Sequence, residues 1–282
     1  MNSTAVITLC NSAHIDVWKL TAELLPRHIK ANSYRVYVPV HEIELFRKVS
    51  PAVFEVLPQN EFGEEYYESL SQACSLAHNI ERLGWYLQQF LKIEILLSSP
   101  EELLVIWDAD CVPLKPIMTF NSTGDPIYML ASKEYNESYF ENIERLLGGL
   151  KRVQDFSFVI PSFPVKKLWL QELIEELSER NCGDSWWKTI IDSTDFSLRS
   201  GFSETETIGT WVANQYPGQW STYPGKWERR GQKEFGYARN FSVEKLLRRT
   251  RKHSLDIVSF ENWDVRGIKL AYKRLREMFP RC

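Results

Sequence analysis

The first 165 residues alternate short apolar runs with longer amphipathic stretches, and this alternation limits the possible folds more than any other feature of the chain. Short apolar runs are typical of buried strands, whereas apolar residues at three- and four-residue spacing are typical of helices. Strands that alternate with helices indicate βα units. We therefore predict an α/β fold, with a Rossmann-like, mainly parallel sheet flanked by helices.

The positions of the predicted elements follow from these runs. The predicted strands are 4–10, 34–39, 53–57, 103–107, 126–131 and 156–161. The predicted helices are 16–31, 41–49, 82–98, 137–149 and 165–179, with another beginning near Ser203. Beyond residue 216 we predict a long loop at 217–240, a helix at 241–252, a strand at 255–260 and a basic helix at 264–279. An unstructured stretch as long as 217–240 is typical of a functional lid or of disorder.

No linker divides the chain, so we predict a single domain in which residues 217–282 form a C-terminal extension packed on a core of residues 1–216. The net charge of −3 is unevenly distributed, because residues 217–282 carry +9 and residues 1–216 carry −12. A basic C-terminal part fits an anionic partner such as a diphosphate or an acidic membrane surface. Solvated charge on helix faces is the alternative.

Bulk properties favour a cytoplasmic protein, at most peripheral to the inner face of a membrane. No apolar run approaches the roughly 18–20 residues of a membrane-spanning helix. The N-terminus lacks the basic and apolar segments of a signal peptide. The five cysteines form no CxxC pair, so the sequence predicts neither a zinc cluster nor a disulfide framework.

Two acidic residues, Asp108 and Asp110, directly follow the most apolar predicted strand. In open α/β sheets, ligands bind at the carboxyl ends of the strands. Two carboxylates one residue apart in a turn can face one point. Mg²⁺ typically uses one or two protein carboxylates, with substrate phosphates and water completing its shell. The turn therefore predicts a Mn²⁺ or Mg²⁺ site that holds a diphosphate, with an ordinary polar turn as the alternative.

Three segments together resemble GT-A-type glycosyltransferases and, more narrowly, a poorly characterised bacterial family of nucleotide-diphospho-sugar transferases. They are GWYLQQFLK at 84–92, DADCVPLKP at 108–116 and FSETE at 202–206. The resemblance spans about the first 215 residues. It implies a GT-A-like, nucleotide-sugar-binding core in which Asp108 and Asp110 coordinate a divalent metal on the donor diphosphate.

The resemblance also implies the reaction, which is sugar transfer from a nucleotide-diphosphate sugar, with a UDP-sugar as the expected donor. The expected acceptor is a hydroxyl of a glycan or lipid-linked molecule, as in polysaccharide biosynthesis. Nucleic acid is not an expected partner.

Further donor-binding candidates lie on the helix before the acidic turn and at the end of the first strand. Gln88, Gln89 and Lys92 share one face of the predicted helix. The resemblance implies that Lys92 contacts the diphosphate or sugar and that the two glutamines bond sugar hydroxyls. Arg82 is a second basic candidate, and an exposed, solvated face is the alternative. At the strand end, the resemblance makes Thr8, Asn11 and Asp16 candidates for base and ribose contacts, although Asn11 has the residue type of a plain cap.

The segment at 203–206 provides the catalytic candidate. Ser203 and Glu206 have capping-box spacing, which gives Glu206 a structural role and leaves Glu204 for acceptor binding or general-base work. The alternative for Glu204 is an acid favoured by the helix dipole. Asp155 is a further candidate for binding donor or acceptor hydroxyls. By resemblance, His253 is a candidate third metal ligand, although a lone histidine is more often structural.

Two other functions compete with sugar transfer. A nucleotidyltransferase shares the sheet and the metal, but such enzymes usually carry a glycine-rich basic loop after the first strand, which residues 10–14 lack. A non-catalytic nucleotide-sugar-binding protein would keep the fold without the reaction. A Rossmann dehydrogenase is disfavoured because no GxGxxG follows the first strand.

Overall fold

The computed structural model describes residues 3–131, 134–180, 183 and 185–261. The strands are β1 (Thr4–Leu9), β2 (Ser33–Val38), β3 (Phe54–Pro58), β4 (Leu103–Trp107), β5 (Cys111–Pro113), β6 (Ile127–Leu130), β7 (Ser162–Lys166), β8 (Ser221–Pro224), β9 (Trp227–Glu228) and β10 (Ile257–Ser259). The α-helices are α1 (Ile15–His28), α2 (Ile43–Val49), α3 (Tyr67–Leu76), α4 (Leu83–Ser98), α5 (Glu137–Leu146), α6 (Lys167–Arg180), α7 (Trp186–Ser193), α8 (Glu204–Gln215), α9 (Gly231–Phe235) and α10 (Val243–Thr250).

The central sheet has five strands in the order β3-β2-β1-β4-β7. The first four are parallel, so that Val6 of β1 lies between Tyr34 of β2 and Val105 of β4, whereas β7 runs antiparallel to β4. The predicted α/β class and the mainly parallel sheet are therefore confirmed. The direction of strand addition reverses between β1 and β4, and such a switch point is where open α/β sheets bind ligands.

Helices cover both faces of the sheet, which explains why β4 is apolar throughout. Leu104 and Ile106 pack with the side of the molecule that holds α3 to α8, and Val105 and Trp107 pack with the side that holds α1 and α2. A strand covered on both faces has no polar side to present. The first residues after β4 that can contact solvent are those of the turn at its carboxyl end.

The strand predicted at 156–161 is wrong. Those residues are irregular, and the strand begins at Ser162. The apolar pattern reflects the burial of Phe158 and Ile160 in a loop. Pro164 lies within β7 because β7 is at the edge of the sheet, where a missing N–H is tolerated. The strand predicted at 126–131 exists as β6, but it pairs with β8 outside the central sheet.

The long loop predicted at 217–240 is also wrong, because that stretch contains β8, β9 and α9. Each of these elements is only two to five residues long, and the two strands pair with partners far away in sequence. Local patterns carry little information about such short, non-local strands. Helices α3 and α7 were not predicted, and the basic helix predicted at 264–279 lies outside the described residues.

The chain beyond residue 216 contributes to a second, three-stranded sheet beside the acidic turn. β10 pairs antiparallel with β5 and parallel with β9. A third apolar cluster forms where α10 and β10 meet α1. None of the described helices combines the length and apolar character needed to cross a membrane.

Candidate functional site

The turn after β4 is held by backbone hydrogen bonds from two other parts of the chain. The amide of Asp108 donates to the Pro161 carbonyl at 3.1 Å, and the amide of Phe260 donates to the Asp110 carbonyl at 2.8 Å. Within the turn, the Cys111 amide donates to the Asp108 carbonyl at 3.0 Å. The two acidic side chains therefore leave a fixed backbone at the β1/β4 switch point.

Lys92 joins the acidic turn to the start of α8. Its Nζ donates to Asp108 Oδ1 at 3.0 Å and to Glu204 Oε1 at 2.8 Å. Burial acts to lower the pKa of the Lys92 ammonium, but the carboxylates of Asp108 and Glu204 outweigh it and raise the pKa. The Lys92 and Glu204 side chains are buried, whereas that of Asp108 keeps 38% of its surface exposed. Three predicted residues thus form one charged cluster that opens to solvent at Asp108.

The start of α8 is organised by side chains on both sides of Glu204. Ser203 Oγ accepts the Glu206 amide at 3.3 Å, as the capping prediction requires. Gln89 Oε1 accepts the Glu204 amide at 3.1 Å. The Glu206 carboxylate turns into the core instead of returning to the cap, and it accepts from Ser157 Oγ at 2.8 Å. Burial raises the pKa of Glu206 to about 6.

Asp110 has the least compensated charge of the turn. Burial, and next the charge of Asp108, raise the pKa of its carboxyl, while His14, the Cys111 thiol and Lys92 act against that rise. The Cys111 thiol donates to Asp110 Oδ1 at 3.3 Å. Across the described ranges, no lysine or arginine forms an ion pair with Asp110. A cation from outside the chain would offset this charge.

A second cluster of charged side chains, which the sequence does not predict, lies next to the turn. Arg229 donates through Nε to Glu261 Oε1 at 3.0 Å and through Nη1 to Glu134 Oε2 at 2.6 Å. Burial raises the pKa of Glu261 to about 7; Arg229 opposes this rise, and the charges of Asp110 and Asp108 add to it. The predicted strand at 255–260 was the available signal, but only its pairing with β5 brings Glu261 to the turn.

The three candidates for base and ribose contacts lie in β1, in the residues that follow it and in α1. Thr8 is fully buried in the sheet, and its Oγ1 has no partner among the described residues. Asn11 is exposed, and its Oδ1 accepts the Ala13 amide at 3.0 Å, which is the cap role considered for it. Asp16 forms an exposed ion pair with Lys19 at 3.4 Å.

The structure shows no contact between the remaining candidates and the cluster formed by Lys92, Asp108 and Glu204. Arg82 donates to the Arg199 carbonyl at 2.9 Å and lies 4.2 Å from the centre of the Trp85 ring. It precedes Lys92 by ten residues, or about 15 Å along a helix. Gln88 is half-buried beside Gln89, and Asp155 is exposed in the loop before β7.

His253 lies at the other end of the C-terminal strand from the acidic turn. It is exposed, and its ring meets the Phe235 ring with centroids 5.0 Å apart. The next residue, Ser254, is bonded to Lys115, whereas Phe260 is the residue that bonds Asp110. The structure therefore gives no support for His253 as a ligand of an ion at Asp110.

The oxygen atoms at the turn fit a hard divalent cation in part. Asp110 and the oxygen of Asp108 that Lys92 does not bind supply two carboxylates, the usual protein share for Mg²⁺. Within the described part of the chain, no three His, Cys, Asp or Glu side chains form a metal-binding group. Phosphate and water oxygens would have to complete the shell.

A family model described as a family of unknown function, DUF6492, matches residues 13–223. The matched range includes Lys92, the acidic turn and Glu204. No curated protein matches the chain. Arg229, Glu261 and β10, which complete the surroundings of the turn, follow the matched range.

Proposed function

The chain belongs to the DUF6492 family of unknown function, and we propose that it is a metal-dependent glycosyltransferase. Its donor would be a nucleotide-diphosphate sugar, with a UDP-sugar as first choice, and its acceptor a hydroxyl of a glycan or lipid-linked molecule. The observation that carries the proposal is the pair of carboxylates at the β1/β4 switch point, where Asp110 has no basic ion-pair partner in the described residues.

The contacts of Lys92 support the proposal. The three segments that resemble nucleotide-sugar transferases are far apart in sequence, at 84–92, 108–116 and 202–206. Lys92 comes from the first, Asp108 from the second and Glu204 from the third, and two short ion pairs join them. The mainly parallel sheet is compatible with a Rossmann-like fold, and its GT-A character is part of the proposal.

Asp110 and the second oxygen of Asp108 would hold Mn²⁺ or Mg²⁺. The bound ion would supply positive charge to the donor diphosphate and to the leaving nucleoside diphosphate. Lys92 would orient the Asp108 carboxylate from the protein interior, because its ammonium is buried and already makes two internal ion pairs. The role proposed for Lys92 is thus to position Asp108, in place of the direct donor contact expected from the sequence.

Glu204 also receives a positioning role. A general base must come within hydrogen-bond reach of the acceptor hydroxyl. The Glu204 side chain is only 5% exposed, and its Oε1 accepts from Lys92. We therefore propose that Glu204 keeps Lys92 charged and in place. Asp155, which is exposed before β7, stays the predicted contact for donor or acceptor hydroxyls.

The test is a thermal-shift screen of UDP-, GDP- and dTDP-sugars with and without Mn²⁺. A ligand that binds only the folded state raises stability with the logarithm of its concentration over Kd. We expect at least one donor to stabilise the wild type only when Mn²⁺ is present, and we expect Asp110→Asn to abolish that response.

Asp192→Asn is the matched control for the screen, because it removes one charge from an exposed aspartate on α7. It should respond as the wild type does. Donor binding that is the same with and without Mn²⁺ and in Asp110→Asn would overturn the metal assignment and favour a metal-independent binding protein. No response to any donor from the folded wild type would count against the donor class.

A further inference from the structure

A stripe of four basic side chains runs along the outer face of α10 and the 3₁₀ turn that follows it. Lys245, Arg248, Arg249 and Lys252 are spaced by three and four residues, which places them on one side of a helix. All four are exposed. The opposite face of α10 is buried against α1 through the third apolar cluster.

Among the described residues, the acidic side chain next to this basic stripe is Glu244, whose pKa is lowered by a backbone hydrogen bond and further by the charge of Arg248. Across the described ranges, none of its four residues forms an ion pair. Lys245 Nζ donates to a neutral group, the Asn240 carbonyl, at 2.8 Å. Arg251, in the same 3₁₀ turn, adds a fifth exposed cation, and Glu244 is the one acid within 243–253. Helical surfaces more commonly intersperse acids with bases.

The surface next to the stripe carries a further cation and an exposed aromatic ring. Asn240, which Lys245 bonds, follows Arg239, and the Arg239 guanidinium lies 5.0 Å from the centre of the exposed Tyr237 ring. In the sequence alone, residues 262–282, which lie outside the described residues, contain six Lys/Arg and two Asp/Glu. Exposed cations beside an aromatic side chain suit a surface with anionic headgroups and an apolar layer beneath them.

We propose that the basic stripe docks the protein on an anionic lipid bilayer. Because the apolar face of α10 is already buried against α1, attraction between charges supplies the binding, without insertion of the helix. Such attraction is worth about 1 kcal/mol, or roughly fivefold in affinity, for each Lys or Arg near the membrane surface. It weakens as salt shortens the Debye length. The inference is independent of the proposed enzyme activity.

The experiment is co-sedimentation of the full chain with vesicles of phosphatidylcholine containing 30% phosphatidylserine, against pure phosphatidylcholine. We expect binding to the anionic vesicles alone, and loss of binding in 0.5 M NaCl. A variant that replaces the four stripe residues by glutamine should lose about 100-fold or more in affinity. These residues are exposed, so thermal unfolding of the variant should match the wild type.

A control variant removes the same number of positive charges from exposed residues on or beside α2 and α5. It carries the changes Arg47→Gln, Lys48→Gln, Arg145→Gln and Lys151→Gln. The control should bind anionic vesicles within about threefold of the wild type, since these charges lie off the stripe. Equal losses in both variants would overturn the proposal, as would equal binding to neutral vesicles. Binding to a DNA duplex but not to anionic vesicles would also overturn it.

Discussion

At the scale of single residues, the candidate site depends on how a few buried charges are paired. Lys92 is the central case, because its ammonium is shared by Asp108 and the buried Glu204. Removing one member of a buried ion pair leaves the other charge without compensation, which is more costly than losing an exposed pair. Substitutions that break these ion pairs should therefore lower the free energy of unfolding as well as affect the proposed chemistry.

The first prediction concerns Lys92→Met. The substitution keeps an unbranched side chain that is one atom shorter, but it leaves Glu204 buried without a cation, and we expect a loss of about 3–5 kcal/mol in the free energy of unfolding. Adding Glu204→Gln should restore part of that loss. Urea denaturation measures both effects, with the exposed Lys19→Met as control. A loss in Lys92→Met no larger than in the control would contradict the buried ion pair.

The second prediction concerns Glu206, whose pKa is raised by burial from 4.5 to about 6. A carboxyl with a raised pKa in the folded state binds its proton more tightly there than in the unfolded state. Its contribution to stability is therefore fully present below pH 4.5 and is lost as the pH rises through 6. The loss is about 2 kcal/mol.

Glu206→Gln should remove this pH dependence, so that its stability relative to the wild type rises between pH 4.5 and 7. Urea denaturation at several pH values measures the difference. Glu175→Gln, at an exposed site on α6, is the control, and its free energy of unfolding should change with pH as that of the wild type does. If the free energy of unfolding of Glu206→Gln changed with pH in the same way as that of the wild type, the raised pKa of Glu206 would be contradicted.

At the scale of elements, what the sequence predicts depends on how local the determining contacts are. The four parallel strands of the central sheet and helices α1, α4 and α8 have strong periodic or continuous apolar patterns, and the predictions match them. β8 and β9 are short, half-buried at most, and specified by distant partners. Their positions depend on tertiary pairing, which no local pattern encodes.

The third prediction concerns the close approach of α8 to the loop before β7. A Cβ on Gly209 would lie 2.2 Å from Cγ of the Phe158 ring. Alanine is normally favoured over glycine in a helix by about 1 kcal/mol, but here overpacking should reverse the sign. We expect Gly209→Ala to lose about 1–3 kcal/mol of stability.

Gly84, in the first turn of α4, is the matched control, because nothing lies within 4 Å of the corresponding Cβ position. Gly84→Ala should be neutral or stabilising by up to about 1 kcal/mol. Urea denaturation of the two variants compares them. A stabilising Gly209→Ala would show that α8 and Phe158 are not in such close contact.

At the scale of the whole molecule, the chain after the matched range completes the surroundings of the acidic turn. The sequence predicts Asp108, Asp110, Lys92 and Glu204, because strand ends and motif spacing are local features. It does not predict that Phe260 bonds the turn, or that Glu261 and Arg229 lie beside it. Those positions require the pairing of β10 with β5, which joins residues more than 140 positions apart.

Metal-dependent turnover of the donor tests the central claim most directly. Release of nucleoside diphosphate from the donor that stabilises the protein should be measured with Mn²⁺ and with EDTA. We expect turnover by the wild type and Asp192→Asn only with Mn²⁺, and a loss of about 100-fold or more in Asp110→Asn, since several kcal/mol of charge stabilisation would be lost. Equal turnover by Asp110→Asn and Asp192→Asn, or turnover that persists in EDTA, would contradict the account.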